Sequence, residues 1–393
     1  MTPASPSTTT PAIELIGIDK RFGSVHANKD INLSIAQGSI HGIIGENGAG
    51  KSTLMSILFG FYHADKGEIR VKGKPVRISS SSDAITMGIG MVHQHFMLVD
   101  PFTVLENVVL GAEGGMLIGP AFDRARAELS RLAREYEMDV DPDAIVGELP
   151  VGLQQRVEIL KALFKGAETL ILDEPTGVLT PDEADHLFRI LRTLKDQGKT
   201  VILITHKLRE IMAITDHVSV MRRGEMVATR ETKNTSVEEL AELMVGRHVL
   251  LHVEKGKASP GEVVLEVKNL TWKDRKGIPR VDNVSFTVRK GEIVGIAGVS
   301  GNGQSELLDV ISGITRPTSG QVIFEGKDIG ILGDPAHVRD EGLAHVPEDR
   351  QHRGLIKTFD ASETMILGWH RQEELGKGFK LDRAKVIARA KSE

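Results

Sequence analysis

The segment Gly45–Ser52 reads GENGAGKS and fits the phosphate-loop pattern G-x-x-x-x-G-K-[ST]. It lies between an apolar stretch and a helix-compatible one, which is the context that the pattern requires. Glycines let backbone amides close around phosphate groups, and the following helix adds the positive end of its dipole. We expect Lys51 to reach the β- and γ-phosphates of a nucleotide and the Ser52 hydroxyl to reach Mg²⁺. The predicted nucleotide-binding residues of this loop are Gly45, Asn47, Gly48, Ala49, Gly50, Lys51, Ser52 and Thr53.

Two further apolar runs end in side chains that are suited to phosphoryl transfer to water. Asp173 and Glu174 follow the first run, and we expect Asp173 to hold Mg²⁺ through water and Glu174 to orient or deprotonate the attacking water. Taken alone, two acids after a strand are also typical of a solvated strand end. His206 follows the second run, where an imidazole would contact the γ-phosphate or serve as an ordinary polar cap. Gln94 by itself is only a loop glutamine.

The elements that must position these side chains are indicated by hydrophobic periodicity. Ile40–Ile44, Leu170–Leu172 and Val201–Ile204 are apolar without alternation, as expected for parallel strands that are buried on both faces. Between the first two runs, apolar residues recur at helical spacing at Leu153, Val157, Leu160 and Phe164. Strands that alternate with helices predict an α/β domain with a largely parallel sheet. Since the carboxyl ends of such strands share one edge, the acids and the histidine should converge on the phosphate loop.

The chain repeats itself at an offset of 253 residues, most clearly where Gly298–Ser305 (GVSGNGQS) matches the phosphate loop. A period this long indicates duplicated domains rather than a solenoid. We predict a flexible polar tail over residues 1–12 and a first domain over 13–246, with a helical subdomain at about 95–165. A linker over 247–261 and a second, incomplete domain over 262–393 follow.

Composition narrows the class of protein further. The chain has 393 residues, no cysteine and a net charge of −5. This length predicts two or three domains, and the mild acidity argues against electrostatic wrapping of nucleic acid. No apolar run approaches the roughly 18 residues that span a bilayer, so a membrane role would require a partner.

Five motifs in order carry a family resemblance: the phosphate loop, Gln94, Gly152–Arg156 (GLQQR), the Leu-Asp-Glu-Pro strand end and His206. Over about residues 13–393 the chain resembles the ATP-binding subunits of ABC transporters. Within that family it is similar to the tandem-domain ATPases of simple-sugar and nucleoside importers. The wording of 149–161 and 172–181 looks most like the nucleoside branch. The resemblance implies two tandem P-loop NTPase domains of α/β fold that use ATP and Mg²⁺ to energise an importer.

The resemblance also implies roles for individual residues. Phe22 would stack on adenine, the alternative being a core phenylalanine, and Gln94 would contact Mg²⁺ and signal to the membrane subunit. A signature segment would cap the nucleotide of the opposing domain; its residues here are Pro150, Val151, Gly152, Leu153 and Gln154.

The same resemblance implies partners and a location. Two transmembrane permease subunits and, indirectly, an extracytoplasmic binding protein would complete the machine, with this subunit peripheral on the cytoplasmic face of the membrane. The helical region would contact the permease, through an apolar patch at Phe96, Met97, Leu98 and Phe102 that also fits a local core. No direct contact with nucleic acid is expected. Two copies of the chain would form a dimer if their first domains pair.

Departures from the family pattern indicate where chemistry is lost. Pro150 stands at a serine position of the signature, Val151 at a glycine and Leu153 at a glutamine, so a proline offers neither an N–H nor a hydroxyl to a γ-phosphate. In the second repeat Gln304 replaces the loop lysine and Glu348 the loop glutamine. The degenerate second site is therefore expected at Gly298, Gly303, Gln304, Ser305 and Glu348.

Domains of this family pair head to tail, so each site combines one phosphate loop with the opposing signature. The site that joins Gln304 to Pro150 is expected to be non-hydrolytic, and the signature opposite Lys51 would fall beyond residue 393. We therefore expect a C-terminally truncated chain that binds MgATP and hydrolyses it weakly alone. Two alternatives remain at this point: a soluble tandem ATPase that acts on ribosomes or nucleic acid, and a nucleotide-binding module without turnover.

Overall fold

The computed structural model divides the chain into two units of contact, Met1–Val253 and Glu254–Glu393. The residues that it describes are 10–93, 97–111, 118–177, 179–248, 256, 258–299, 301–331, 333–349, 353–370, 372–377 and 380–392. Gln94 and Phe96 lie outside these ranges. Among the described residues, none of the helices combines the length and apolar character needed to cross a bilayer.

The first unit alternates strands and helices. Its strands are β1 (Ile13–Phe22), β2 (Val25–Ile35), β3 (Ile40–Ile44), β4 (Lys66–Val71), β5 (Lys74–Val76), β6 (Ile89–Val92), β7 (Thr169–Asp173), β8 (Thr200–Ile204), β9 (His217–Arg222) and β10 (Glu225–Glu231). Its helices are α1 (Lys51–Leu58), α2 (Ser81–Thr86), α3 (Val104–Val109), α4 (Ile118–Glu135), α5 (Val151–Phe164), α6 (Pro181–Asp196), α7 (Leu208–Ile214) and α8 (Val237–Val245).

A six-stranded sheet in the order β10-β9-β3-β8-β7-β6 forms the centre of this unit. Its pairs are parallel except the β9–β10 hairpin. Along β7, Leu170 and Leu172 pack into one hydrophobic cluster while Ile171 packs into a second cluster on the other face. Both faces are therefore covered, which explains the apolar runs without alternation and confirms the predicted α/β class.

A separate antiparallel sheet in the order β2-β1-β4-β5 packs its apolar residues into the second of these clusters, together with α1. Strand β2 is irregular, because Asp30 has a φ of 45° and the register with β1 shifts nearby. Its buried positions accordingly run Asn28, Ile31, Leu33 and Ile35 rather than alternating throughout. This irregularity brings the Asn28 side chain inside, beside the phosphate loop.

The second unit repeats the beginning of the first. Its elements are β11 (Val263–Lys273), β12 (Pro279–Arg289), β13 (Ser319–Phe324), β14 (Lys327–Asp328), β15 (Gly376–Lys377) and β16 (Lys380–Leu381), with α9 (Gln304–Ile311), α10 (Pro335–Asp340), α11 (Ala361–Met365) and α12 (Arg383–Ser392). The order β12-β11-β13-β14 reproduces the antiparallel sheet of the first unit.

The counterpart of β3 in the second unit, residues 292–299, forms no strand, and Ile293 is 94% exposed. In the first unit β3 lies between β8 and β9. The described part of the second unit contains no equivalents of those two strands, so this segment has no partners with which to pair.

Candidate functional site

The phosphate loop connects β3 to α1, as its pattern predicts. A Cβ on Gly45 would overlap with the Met221 carbonyl oxygen, and one on Gly50 would overlap with the Ala27 carbonyl oxygen. Gly50 also has a φ of 99°, which other residues rarely adopt. Both positions therefore require glycine, because only a residue without a side chain lets the loop pass this close to Met221 of β9 and Ala27 of β2.

Lys51 begins α1 with its ammonium folded over the loop. Its Nζ donates hydrogen bonds to the carbonyl oxygens of Gly45 at 2.8 Å and Glu46 at 3.0 Å, and the residue is 6% exposed. Burial lowers the pKa of Lys51, while the carboxylates of Glu174 and Asp173 oppose that shift. The buried ammonium of Lys51 therefore lies beside the N-terminal amides of α1. A cation together with a helix N-terminus is an arrangement that binds phosphate.

Asp173 ends β7 and meets Ser52 at the second position of α1. Burial raises the pKa of Asp173, and a hydrogen bond from the Ser52 hydroxyl opposes this shift. The carboxyl group is therefore not a solvated strand end, since Asp173 is buried and held by a residue of the phosphate loop. A hydroxyl and a carboxylate at one point are oxygen ligands of the kind that Mg²⁺ accepts.

Glu174 and His206 follow neighbouring parallel strands and meet at the same edge of the sheet. Asp173 pairs with Ile204, and the Glu174 amide donates to the Ile204 carbonyl oxygen at 2.8 Å, so the two strands end level. Nδ1 of His206 lies 3.0 Å from Oε1 of Glu174. Glu174 has a φ of 46°, a conformation that costs roughly 1–2 kcal/mol for a residue with a side chain. Such strain is concentrated at functional sites.

The signature-like segment forms the start of α5. Pro150 is the N-cap residue and supplies no side-chain hydrogen bond to the helix, as expected for proline. Its carbonyl oxygen accepts from the amides of Leu153 at 2.9 Å and Gln154 at 3.1 Å. Gly152 packs so closely against Glu183 of α6 that a Cβ would lie 2.6 Å from Oε1. Gln155, the residue after the signature-like segment, donates a hydrogen bond of 2.8 Å to the Pro175 carbonyl oxygen and so joins α5 to the loop after Glu174.

Phe22 lies at the end of β1 and is 42% exposed, so the alternative of a core phenylalanine is wrong. Its ring meets that of Tyr62 edge to face at 5.1 Å. The ammonium of Lys20 lies 5.3 Å from the centre of the Phe22 ring. An exposed aromatic face beside a cation is compatible with stacking on a base.

The second repeat keeps the shape of the phosphate loop and changes its charge. Gly303 has a φ of 92°, and a Cβ there would overlap with the Arg280 carbonyl oxygen, as Gly50 would with Ala27. The amide of Gln304 lies against Gly298. Ser305 donates a hydrogen bond of 2.6 Å to Oε2 of Glu348. The second loop therefore has the neutral amide of Gln304 where the first has the ammonium of Lys51. It also has the Glu348 carboxylate hydrogen-bonded to its serine, Ser305.

Two residues that support the first phosphate loop escaped the sequence analysis: Asn28 and Gly224. Asn28 donates to the Gly50 carbonyl oxygen and Gly224 to that of Ala49. No signal in the sequence of β2 singles out Asn28, since His26, Lys29 and Asp30 nearby are polar as well. The irregularity at Asp30 also reverses the expected face, because simple alternation would place Asn28 on the exposed face.

Comparison with known proteins agrees with this geometry. The sequence profile of the family described as ABC transporter matches residues 28–177 and 281–389. The nucleoside import ATP-binding protein NupA of Lactococcus lactis subsp. cremoris (strain MG1363) is 46% identical over 96% of this chain and 75% of its own length. The glucose import ATP-binding protein TsgD13 of Haloferax volcanii is 44% identical over 98% of this chain and 75% of its own.

The chain belongs to the ABC transporter family. A solved structure of the ADP conformation of MJ1267, an ATP-binding cassette of an ABC transporter, is 27% identical with a TM-score of 0.54. The match covers 61% of this chain and 100% of that one. As a member of the ABC transporter family, the chain is an ATP-binding subunit and an ATPase. The two separate matches of the family profile agree with a tandem duplication of the cassette fold.

Proposed function

We propose that this chain binds MgATP at the first phosphate loop and uses its hydrolysis to energise an importer of nucleosides or simple sugars. One observation carries the chemical part of the proposal. Lys51, the Ser52–Asp173 pair and the Glu174–His206 pair converge at the carboxyl ends of the neighbouring parallel strands β3, β8 and β7. The importer follows from relatives that are named nucleoside and glucose import ATP-binding proteins.

Each residue of the site has a distinct task in this proposal. The loop amides and Lys51 bind the β- and γ-phosphates, and Ser52, Asp173 and Gln94 hold Mg²⁺, which offsets the phosphate charge. No group of three or more His, Cys, Asp or Glu side chains placed to hold a metal ion occurs among the described residues, so the ion would also need phosphate oxygens and water. Glu174 orients or deprotonates the attacking water, and His206 holds Glu174 and the γ-phosphate in place.

The two repeats differ in their proposed capacity to bind and hydrolyse ATP. The second loop lacks a cation and has Glu348 on Ser305, so it disfavours the triphosphate and serves a non-hydrolytic site. The signature-like segment Pro150–Gln154 contains no hydroxyl that could bind a γ-phosphate. The intact site needs a signature from another segment, and residues 262–393 contain no second stretch that resembles 149–156. We therefore expect weak turnover by this chain alone.

The partner that receives the energy is a permease pair in the membrane, with this subunit peripheral on its cytoplasmic face. An apolar groove of about 240 Å³ lies where the helical region meets the sheet, and its lining includes Phe59, Phe61, Met91, His93, Met97 and Glu158. Met97 is 57% exposed. Because His93 and Met97 line the groove and Gln94 follows His93 in the sequence, a permease helix seated there would couple to Gln94. The local-core alternative fits Leu98, which packs partly into the main cluster.

The proposal is tested by measuring Mg²⁺-dependent ATP binding and hydrolysis of the purified chain, with Lys51→Ala and Glu174→Gln as variants. Tight binding that Lys51→Ala abolishes, with weak turnover that rises when a signature-bearing segment is supplied, is the expected result. Brisk turnover by the chain alone would contradict the need for a further signature and indicate that two chains pair through their first domains. Binding without turnover, even with permease and signature supplied, would favour a nucleotide-binding module instead.

A further inference from the structure

Asn28 lies under the phosphate loop and is completely buried. Its Nδ2 donates a hydrogen bond of 3.1 Å to the carbonyl oxygen of Gly50. The same oxygen accepts from the Leu54 amide at 3.0 Å, the first hydrogen bond of α1. Asn28 therefore adds a second donor to the carbonyl that immediately precedes Lys51.

The preceding carbonyl of the loop is held from the same side. The Gly224 amide donates to the Ala49 carbonyl oxygen at 3.1 Å, and the Lys29 amide donates to the Gly224 carbonyl oxygen at 2.7 Å. In a trans peptide the C=O and the following N–H point in opposite directions. Because the Ala49 carbonyl is bound by the β9–β10 turn and the Gly50 carbonyl by Asn28 of β2, the amides of Gly50 and Lys51 point the other way, into the loop.

The Asn28 side chain carries an energetic cost that packing alone does not explain. Its Oδ1 is buried and has no hydrogen-bond partner. An unsatisfied buried acceptor costs about 1–3 kcal/mol, and an apolar side chain of similar shape would avoid that cost. A residue retained at such a cost is a candidate for a functional role.

The second repeat supplies an internal comparison. Gly303 meets the Arg280 carbonyl oxygen as Gly50 meets that of Ala27, so the strand approaches both loops alike. The residue after Arg280, which corresponds to Asn28, is Val281, and it is also buried. The close approach of strand and loop is therefore compatible with an apolar side chain. The Asn28 amide is therefore present in the repeat whose loop contains Lys51 and absent from the repeat whose loop contains Gln304.

We propose that Asn28 is a positioning residue for ATP binding, which holds the Gly50 peptide so that the Lys51 amide faces the phosphates, at a cost in stability. The proposal rests on ATP binding at the first phosphate loop. It differs from a packing role in one measurable respect. Removing the side-chain amide should weaken nucleotide binding without weakening the fold.

The experiment compares Asn28→Leu with Asn32→Leu in the full 393-residue chain. Asn32 lies on the same strand but is exposed, and its Oδ1 accepts from the Gly17 amide, away from the loop. The dissociation constant for MgATP and the midpoint of thermal unfolding are measured for each. We expect Asn28→Leu to raise the dissociation constant about fivefold, the equivalent of one hydrogen bond, with an unchanged or higher midpoint. Asn32→Leu should leave the dissociation constant unchanged.

Asn28→Val, which copies Val281, is the second variant and should show the same loss of affinity. An unchanged dissociation constant in both variants would overturn the proposal. So would a fall in the unfolding midpoint, or a failure of both variants to fold, because either would assign Asn28 to the structure alone. If the unaltered chain fails to bind MgATP at all, the proposed function fails instead, which Lys51→Ala as a non-binding reference makes visible.

Discussion

Nδ1 of His206 lies 3.0 Å from Oε1 of Glu174, although the two residues are 32 positions apart in the sequence. Parallel pairing of β7 with β8 produces this contact, since it aligns Asp173 with Ile204 and brings the residues after each strand together. The pair places a carboxylate and an imidazole beside the phosphate loop. The function that we propose for this pair in hydrolysis can be separated from nucleotide binding by substitution.

Glu174→Gln should reduce ATP hydrolysis by about 10²–10⁴-fold, because the amide retains the shape of the side chain but cannot accept a proton. The dissociation constant for MgATP should change little, since Lys51 and the loop amides remain. Steady-state hydrolysis in the presence of a signature-bearing segment, with parallel binding measurements, checks this. Glu238→Gln, at an exposed position of α8, is a control outside the proposed site. Equal turnover by Glu174→Gln and the unaltered chain would remove Glu174 from the catalytic role.

Phe22→Ala should weaken ATP binding by about tenfold through the loss of base stacking, which contributes roughly 1–3 kcal/mol. Inorganic triphosphate has no base, so its affinity should remain the same. Phe22→Trp should retain most of the ATP affinity. Calorimetric titration with both ligands distinguishes the roles: a parallel loss of affinity for ATP and triphosphate would show that Phe22 acts on the loop and not on the base.

Stability should fall as the pH falls from about 6.5 to 4, because His41 is buried in β3. Burial, with His217 beside it, lowers the pKa of His41 to about 4 from an ordinary value of 6.5. Between these pH values His41 binds a proton in the unfolded chain but not in the folded chain, so the free energy of unfolding decreases as the pH falls. The contribution is about 3 kcal/mol in full.

Urea unfolding at a series of pH values, compared between the unaltered chain and His41→Gln, isolates this contribution from that of the carboxylates. Glutamine retains an amide that can bond Ser219, whose Oγ lies 2.8 Å from Nε2 of His41. The loss of unfolding free energy between pH 6.5 and 4 should be smaller in the variant by about 3 kcal/mol. Identical slopes would show that His41 is protonated in the folded chain.

Phe102→Asp should impair binding to a permease pair while sparing ATP binding. Phe102 is 38% exposed at the start of the helical region, so a charge there faces solvent in the free subunit and an apolar partner in the complex. Co-purification with the permease in detergent measures the interaction. Val263→Asp, at a site of similar exposure on β11 in the second unit, is the matched control. Unfolding of Phe102→Asp would instead assign this residue to the local core.

Several elements could be predicted from the sequence because their signals are local. The loop pattern places Lys51 and Ser52 within eight consecutive residues, and the apolar run Ile40–Ile44 coincides with β3. Helical spacing likewise predicts α5, since its repeat of three and four residues lies within one segment. The order of the motifs predicts the family for the same reason. Each of these patterns is complete within a short stretch of chain.

Only the tertiary structure decided which side chains meet. The contact of Asn28 with Gly50 depends on the irregularity of β2 at Asp30, which reverses the face that alternation predicts. The contact of Gly224 with Ala49 depends on the β9–β10 turn lying next to the phosphate loop, although the two are separated in the sequence by most of the first unit. The physical reason is that a hydrogen bond specifies distance and direction but not separation along the chain. Sequence patterns therefore determined the chemical groups of the site, and strand pairing and register determined their partners.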